Sequence, residues 1–266
     1  MSPDAPMRRI ALLIEYEGTA YGGSQYQENA PTVQGALERA LSRLTGELIR
    51  VTLAGRTDAG VHACGQVASF VTASRRSLEV IMRATNAHLP GDITVRRATE
   101  VRSEFDPRRQ AVSRWYRYLI QPGGQRPALL RRWVWHLPVA LEVKAMAQAA
   151  AMVCGKHDFR AFTAPSEARR RGTERLVTRS EVRRKGKLVV FDIEANAFLP
   201  HMVRRIVGAL VEVGRARRSV PEFERLVQSG RPGEASATAP ARGLYLMKVR
   251  YESGLFDDET DEDIHG

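Results

Sequence analysis

The order of local periodicities along this chain, strand–helix–strand–strand–helix–strand run through twice, is its tightest constraint on a fold. Residues 9–18, R-I-A-L-L-I-E-Y-E-G, predict a strand that closes in a turn. Thr32 stands as a helix N-cap before Val33, Leu37, Ala40, Leu41 and Leu44, which recur on one helical face until Gly46 ends the pattern. Two β-rich stretches follow, R-V-T-L-A at 50–54 and Q-V-A-S-F-V-T at 66–72. A helix over 77–87 and a strand over 92–98 complete the first pass. The second pass opens on S-R-W-Y-R-Y-L-I, 113–120, rich in aromatic residues. An alanine-rich helix is predicted over 139–154, and strands over 175–184 and 188–195 are joined by a K-G-K turn. Next comes a helix over 200–213, with Pro200 at its first position, Gly214 just past its end, and an apolar stripe of Val203, Ile206, Val207 and Leu210. A short helix at 221–228 and a strand at 244–251 close the chain's ordered pattern.

This order predicts an α+β protein made of two ferredoxin-like (RRM-like) units with mainly antiparallel sheets, packed around a central active-site cleft. The expected divisions are 1–104, 105–252 and an acidic, disordered tail at 253–266. Residues 164–173, A-P-S-E-A-R-R-R-G-T, read as a mobile basic loop suited to solvent or to phosphate.

Composition narrows the partners. No apolar run approaches the roughly 20 residues of a membrane-spanning helix, so no membrane is expected. The first ten residues lack an apolar signal core, and two cysteines without CxxC spacing suit a reducing compartment; the expected location is the cytoplasm. Cys64 reads as a small buried residue near Asp58. The net charge is +11 even though residues 257–263 hold six acids and no base. Of 41 basic residues 36 are arginine, whose planar fork suits phosphate and whose face stacks on bases. The positive excess points to a polyanion.

The chemistry-bearing residues are few. The histidines, at 62, 88, 136, 157, 201 and 265, follow no ligand spacing, and no Walker or G-x-G-x-x-G loop occurs; no metal and no cofactor are expected. Between the β-rich stretches runs G-R-T-D-A-G-V-H-A, 55–63, which presents one carboxylate, Asp58, on a glycine-bounded loop two residues after Arg56. Such a loop is either a plain turn or a fixed, accessible acid. Tyr116 and Tyr118 share one face of a strand, where they either pack or, beside Arg114, form a base-stacking surface. Arg204 and Arg205 open the helix after Pro200; one turned inward would need an acid, and Asp58 is available.

The string G-R-T-D-A-G-V-H-A resembles the catalytic signature of the tRNA pseudouridine synthase A (TruA) family. Four further stretches resemble that family in the expected order: E-Y-E-G-T-A-Y-G-G near the N-terminus, W-Y-R-Y at 115–118, A-N-A-F-L-P-H-M-V-R-R-I-V-G-A-L at 195–210, and G-L-Y-L at 243–246. The resemblance spans most of residues 7–252. It implies that Asp58 is the nucleophile and that Arg204 pairs with it. It places Tyr116 against the target uracil, Arg56 in the base stack that the target leaves, and Leu244 near the base. It implies isomerisation of uridine to pseudouridine at tRNA positions 38, 39 and 40, in the anticodon stem-loop, by a cofactor-free homodimer. An aspartate can carry a covalent nucleoside intermediate, through the ribose carbon or the uracil ring, and a uridine in structured RNA has to be flipped out. Ser24 departs from the family, which often has an aromatic there; this leaves the nearby RNA contact open and is expected to leave the catalytic set untouched.

Two other classes compete. An RNA chaperone would keep the fold without turnover, against which Asp58, Tyr116 and Arg204 are all present. A carboxylate-dependent nucleotide hydrolase calls for a second carboxylate or a metal cluster, and none is visible in the sequence.

Overall fold

A computed structural model of the chain describes residues 6–170, 172–235 and 238–257. In chain order the elements are β1 (Arg8–Tyr16), α1 (Val33–Thr45), β2 (Thr52–Leu53), β3 (His62–Thr72), α2 (Leu78–His88) and β4 (Ile93–Val101). There follow β5 (Ala111–Pro122), β6 (Trp135–Leu137), α3 (Val143–Ala151), β7 (Gly155–Asp158), α4 (Pro165–Arg170), β8 (Glu174–Lys185), β9 (Leu188–Ala195), α5 (Met202–Gly214), α6 (Val220–Ser229) and β10 (Leu244–Tyr251). This is the mixed α+β, mainly antiparallel architecture that the periodicities predict. No helix among the described residues is long and apolar enough to cross a membrane. The chain resolves into two units, Met1–Val112 with Leu246–Gly266, and Ser113–Tyr245.

In the first unit the strand order is β4-β1-β3-β10, with the short β2 on β3. β1 is antiparallel to both β3 and β4. Its central position explains its unbroken apolar run, since Ile10 to Ile14 are all buried. β4 has only one neighbour in this order and alternates instead: Ile93 and Val95 are buried, Thr94 and Arg96 exposed. α1 begins where Thr32 Oγ1 accepts from the Gly35 amide and closes at Gly46, as its spacing predicts. It buries Leu37 and Leu41. It also buries Glu38, whose carboxylate accepts from the Val51 amide (3.0 Å), Gln34 (2.9 Å) and Arg50 (2.9 Å) and so secures the stretch leading into β2. The β1–β3 register slips between Ile14, paired with Gln66, and Tyr16, paired with Ala63. This bulge in β3, at half-buried Cys64 and at Gly65, lies just beyond the loop that carries Asp58.

In the second unit the order is β5-β9-β8-β7, antiparallel throughout, and β6 adds a short parallel pairing to β5. One sheet face carries Trp115, Arg117 and Asp192. Asp192 is fully buried and accepts from the Trp115 indole (2.9 Å), from Arg117 (2.9 Å) and from Arg183. The guanidinium groups of Arg117 (5.0 Å) and Arg179 (5.4 Å) both lie over the Trp115 ring.

Several local expectations are corrected. α3 covers only Val143–Ala151, because the Glu142 amide is drawn to the Gly214 carbonyl (2.8 Å) and Cys154 already leads into β7. α5 starts at Met202 behind a left-handed His201, so Pro200 stands outside the helix rather than at its first position. Gly214 is the last helical residue, not the cap. Its role is packing, since a Cβ there would run into Met146 and Leu141. The basic stretch 164–173, expected as a loop, contains α4, started by Pro165 where a missing amide proton costs nothing. Cys154 is exposed. Of the acidic tail, Asp257 sits against Lys248 (3.5 Å), and residues 258–266 lie outside the described residues.

Candidate active site

The Asp58 loop is built from its anchors. Just past β2, the Ala54 amide donates to the Val67 carbonyl (2.8 Å). Gly55 is then gripped by a side chain: its amide donates to Gln66 Oε1 (3.2 Å) and its carbonyl accepts from Gln66 Nε2 (2.8 Å). Thr57 is buried and triply held. Its amide donates to Ser24 Oγ (2.8 Å), its carbonyl accepts from the Ser24 amide (3.1 Å), and its hydroxyl shares a hydrogen bond with Tyr16 Oη (2.8 Å). The loop then reverses in a β-turn closed by the Val61 amide on the Asp58 carbonyl (3.1 Å). Gly60 takes the left-handed φ of 77° that this turn requires at its third position. The effect is an alternation across an anchored residue: Arg56 is exposed, Thr57 buried, Asp58 half-buried.

A second segment of the same unit wraps this loop. Gly23, at φ 119°, passes so close that a Cβ there would lie 3.0 Å from the Thr57 carbonyl. The Gly18 amide donates to His62 Nδ1 (3.0 Å), which lies 3.6 Å from Glu17 Oε1. Tyr16 is wholly buried, and desolvation pushes its phenol up to about 12 despite hydrogen bonds that favour the anion. It therefore acts as a neutral hydroxyl at any physiological pH. Ser24, the departure from the family pattern, is fully buried and bonded to Thr57, the residue next to Asp58.

In the second unit a different set converges. Tyr116, on β5, is buried with its ring edge-on to Phe198 (centroids 5.1 Å apart, 84° between planes). Tyr118 shares its sheet face, pairing with Phe191 on β9 as Tyr116 pairs with Ile193. It is fully buried, however, and donates to the Pro240 carbonyl (2.7 Å). Burial raises its pKa far above the usual tyrosine range. Of the two readings for the tyrosine pair, Tyr118 takes packing; it carries the turn before β10, and Gly243 leaves room for its ring. Arg204, in the first turn of α5, donates from Nε to the Ala239 carbonyl (2.7 Å), while the Ala239 amide donates to the Arg204 carbonyl (3.0 Å). Leu244 follows the turn Ala241–Gly243 and is buried. Residues 239–244 thus bring Arg204, Tyr118 and Leu244 together, with Tyr116 two residues along β5.

Arg205 is not a solvated neighbour of Arg204. It is half-buried, Nη1 donates to the Ala235 carbonyl (3.4 Å), and Nε is buried without a hydrogen-bond partner. Burial lowers its pKa from the usual arginine value. Among the described residues, no group of three or more His, Cys, Asp or Glu is placed to hold a metal ion.

The loop-anchoring residues Tyr16, Ser24 and Gln66 escape sequence reasoning. Gln66 gives a faint signal as a polar residue at the start of an otherwise apolar strand, and Ser24 gives one as the departure from an aromatic.

The profile of a family described as tRNA pseudouridine synthase matches residues 12–108 and 149–252. The chain is 46% identical over 253 residues to a protein of Chloroflexus aurantiacus named tRNA pseudouridine synthase A, covering 94% of this chain and 91% of that one. It is 48% identical to the protein of that name from Roseiflexus castenholzii, over 92% of this chain and 91% of that one. With the protein of that name from Moorella thermoacetica it shares 47% identity, over 91% and 99% respectively.

Proposed function

The chain belongs to the tRNA pseudouridine synthase family, and on that premise we propose that it isomerises uridine to pseudouridine in tRNA with Asp58 as the nucleophile. One observation carries the assignment to Asp58: the backbone leading into it is held at Gly55 and Thr57 by buried side chains, while Asp58 itself stays half-buried, which suits a positioned nucleophile better than a plain turn.

The reaction moves the ribose from N1 to C5 of the same uracil. The Asp58 carboxylate forms a covalent bond to the nucleoside, which splits one difficult displacement into easier steps. The N1–C1′ bond breaks, the uracil turns, C5 bonds to C1′, and the bond to Asp58 breaks to return the free carboxylate, while the C5 proton leaves and N1 gains one. Arg204 orients the carboxylate as its ion-pair partner. Tyr116 lies against the uracil ring and assists removal of the C5 proton, and Leu244 packs beside the base. Arg56, exposed on the same loop, fills the stack when the uridine flips out, a step that costs a few kcal/mol. No metal and no organic cofactor take part.

The uridines are those at positions 38, 39 and 40 of the anticodon stem-loop, the active form is a homodimer, and the compartment is the cytoplasm. The arginine-rich positive charge supports a tRNA partner. The test is incubation with an unmodified tRNA transcript followed by mapping of pseudouridine. Pseudouridine at 38–40 is expected; tight binding without product would favour an RNA chaperone instead.

A further inference from the structure

We propose that Ser24 and Tyr16 are positioning residues for Asp58, acting through Thr57, and that they set the direction in which the carboxylate leaves its loop. The inference rests on the reading of Asp58 as nucleophile and adds the machinery that aims it.

Three observations carry it. First, Ser24 and Thr57 are paired by two opposed hydrogen bonds, Thr57 amide to Ser24 Oγ at 2.8 Å and Ser24 amide to Thr57 carbonyl at 3.1 Å. A serine oxygen thus takes the place of a strand partner where the 17–24 segment crosses the loop. Second, Tyr16 reaches the same residue from the end of β1, its hydroxyl 2.8 Å from Thr57 Oγ1. Both anchors are buried, so water does not substitute freely for either. Third, Gly23 closes the remaining space over the Thr57 carbonyl. Thr57 therefore has its amide, carbonyl and hydroxyl all fixed. Asp58 is the next residue: the Thr57 backbone fixes the peptide plane leading into it and the Val61 amide holds its carbonyl (3.1 Å), so together they set its Cα–Cβ direction. An aromatic at position 24 has no oxygen to offer the Thr57 amide; the serine is a specific solution in this chain.

Both side chains are buried and spent on Thr57, so neither presents a surface to the RNA. Their loss should therefore spare tRNA affinity and slow the chemical step, because a misplacement of about 1 Å at a reacting group costs up to about a hundredfold. The experiment uses the full chain with Ser24→Ala, Tyr16→Phe and the double variant. It measures single-turnover pseudouridine formation at saturating enzyme, tRNA affinity separately, and thermal unfolding. Each single variant is expected to lower the single-turnover rate about tenfold or more, with tRNA affinity within about twofold. The double variant should lose less than the product of the two, since both act through one residue. Tyr16→Phe removes a single oxygen and keeps the ring, so it decides the matter if Ser24→Ala does not fold. Rates within twofold of wild type for the folded variants, or a rate loss matched by lost affinity, would overturn the proposal. An active Asp58→Asn control would instead overturn the reading on which it rests, and the proposal with it.

Discussion

Gln66 brackets the backbone of Gly55, accepting from its amide at 3.2 Å and donating to its carbonyl at 2.8 Å. Gln66 is fully buried, so this bracket is the seal where β2 gives way to the Asp58 loop. Gln66→Leu keeps the volume but leaves the Gly55 amide and carbonyl without this partner. The expected cost is about 1–3 kcal/mol of stability, read as a lower urea midpoint at unchanged m-value. The same variant should turn over more slowly than its folded fraction accounts for, because the loop loses its first anchor.

Asp58→Asn should abolish pseudouridine formation and leave tRNA affinity within about twofold, since an amide cannot act as the carboxylate nucleophile. The turn itself survives the change, as it is closed by the Asp58 backbone carbonyl and not by the side chain. Pseudouridine mapping after overnight incubation, beside a binding isotherm, checks both halves. Product at a rate near wild type would remove Asp58 from the mechanism.

What the sequence made legible were features whose cause is local. Thr32, the apolar positions from Val33 to Leu44 and Gly46 specify α1 without help from the rest of the chain, and the bounds of β10 follow from its β-rich run. The Asp58 loop is visible because glycines and an acid between two strands leave few alternatives. The failures share a different cause. Tyr118 looks equivalent to Tyr116 by spacing, but its fate is decided by the Pro240 carbonyl, 122 residues away. Ser24 looks like a surface substitution until Thr57 is found against it, 33 residues on. Pro200 and Gly214 follow helix-end statistics, yet His201 takes the cap and Gly214 is required by Met146 and Leu141 packed against it. β6, three residues long, gains its partner only from the parallel pairing to β5.

Asp192 should make the fold acid-sensitive. Burial pushes its carboxyl up, but hydrogen bonds from Arg117 and Arg183 outweigh this and hold it below the usual carboxylate range. A carboxyl depressed in the folded state stabilises it above the unfolded value, and that contribution is lost as pH falls through the folded value. Urea midpoints should therefore drop below about pH 4 in the wild type. Asp192→Asn should be less stable at neutral pH by about 3 kcal/mol, since Arg117 and Arg183 keep their charge beside a neutral amide, and its acid dependence should be flatter.

The two arginines that open α5 should separate in kinetics. Arg204 is tied to Ala239 in both directions, through its Nε and through its own carbonyl, so its guanidinium is oriented before any ligand arrives. Arg205 has only a long contact to Ala235 and a buried, unpartnered Nε, and its pKa is lowered by desolvation. On a helix these neighbours point about 100° apart, so they do not serve the same group. On the proposed pairing of Arg204 with Asp58, Arg204→Ala is expected to slow single-turnover pseudouridine formation at saturating enzyme by about a hundredfold. Arg205→Ala removes a poorly satisfied buried cation, so it should cost little stability and leave the chemical rate within about threefold. Single-turnover rates, tRNA affinities and urea unfolding of the two variants side by side make the comparison. A larger chemical defect in Arg205→Ala than in Arg204→Ala would show that the wrong arginine has been paired with Asp58.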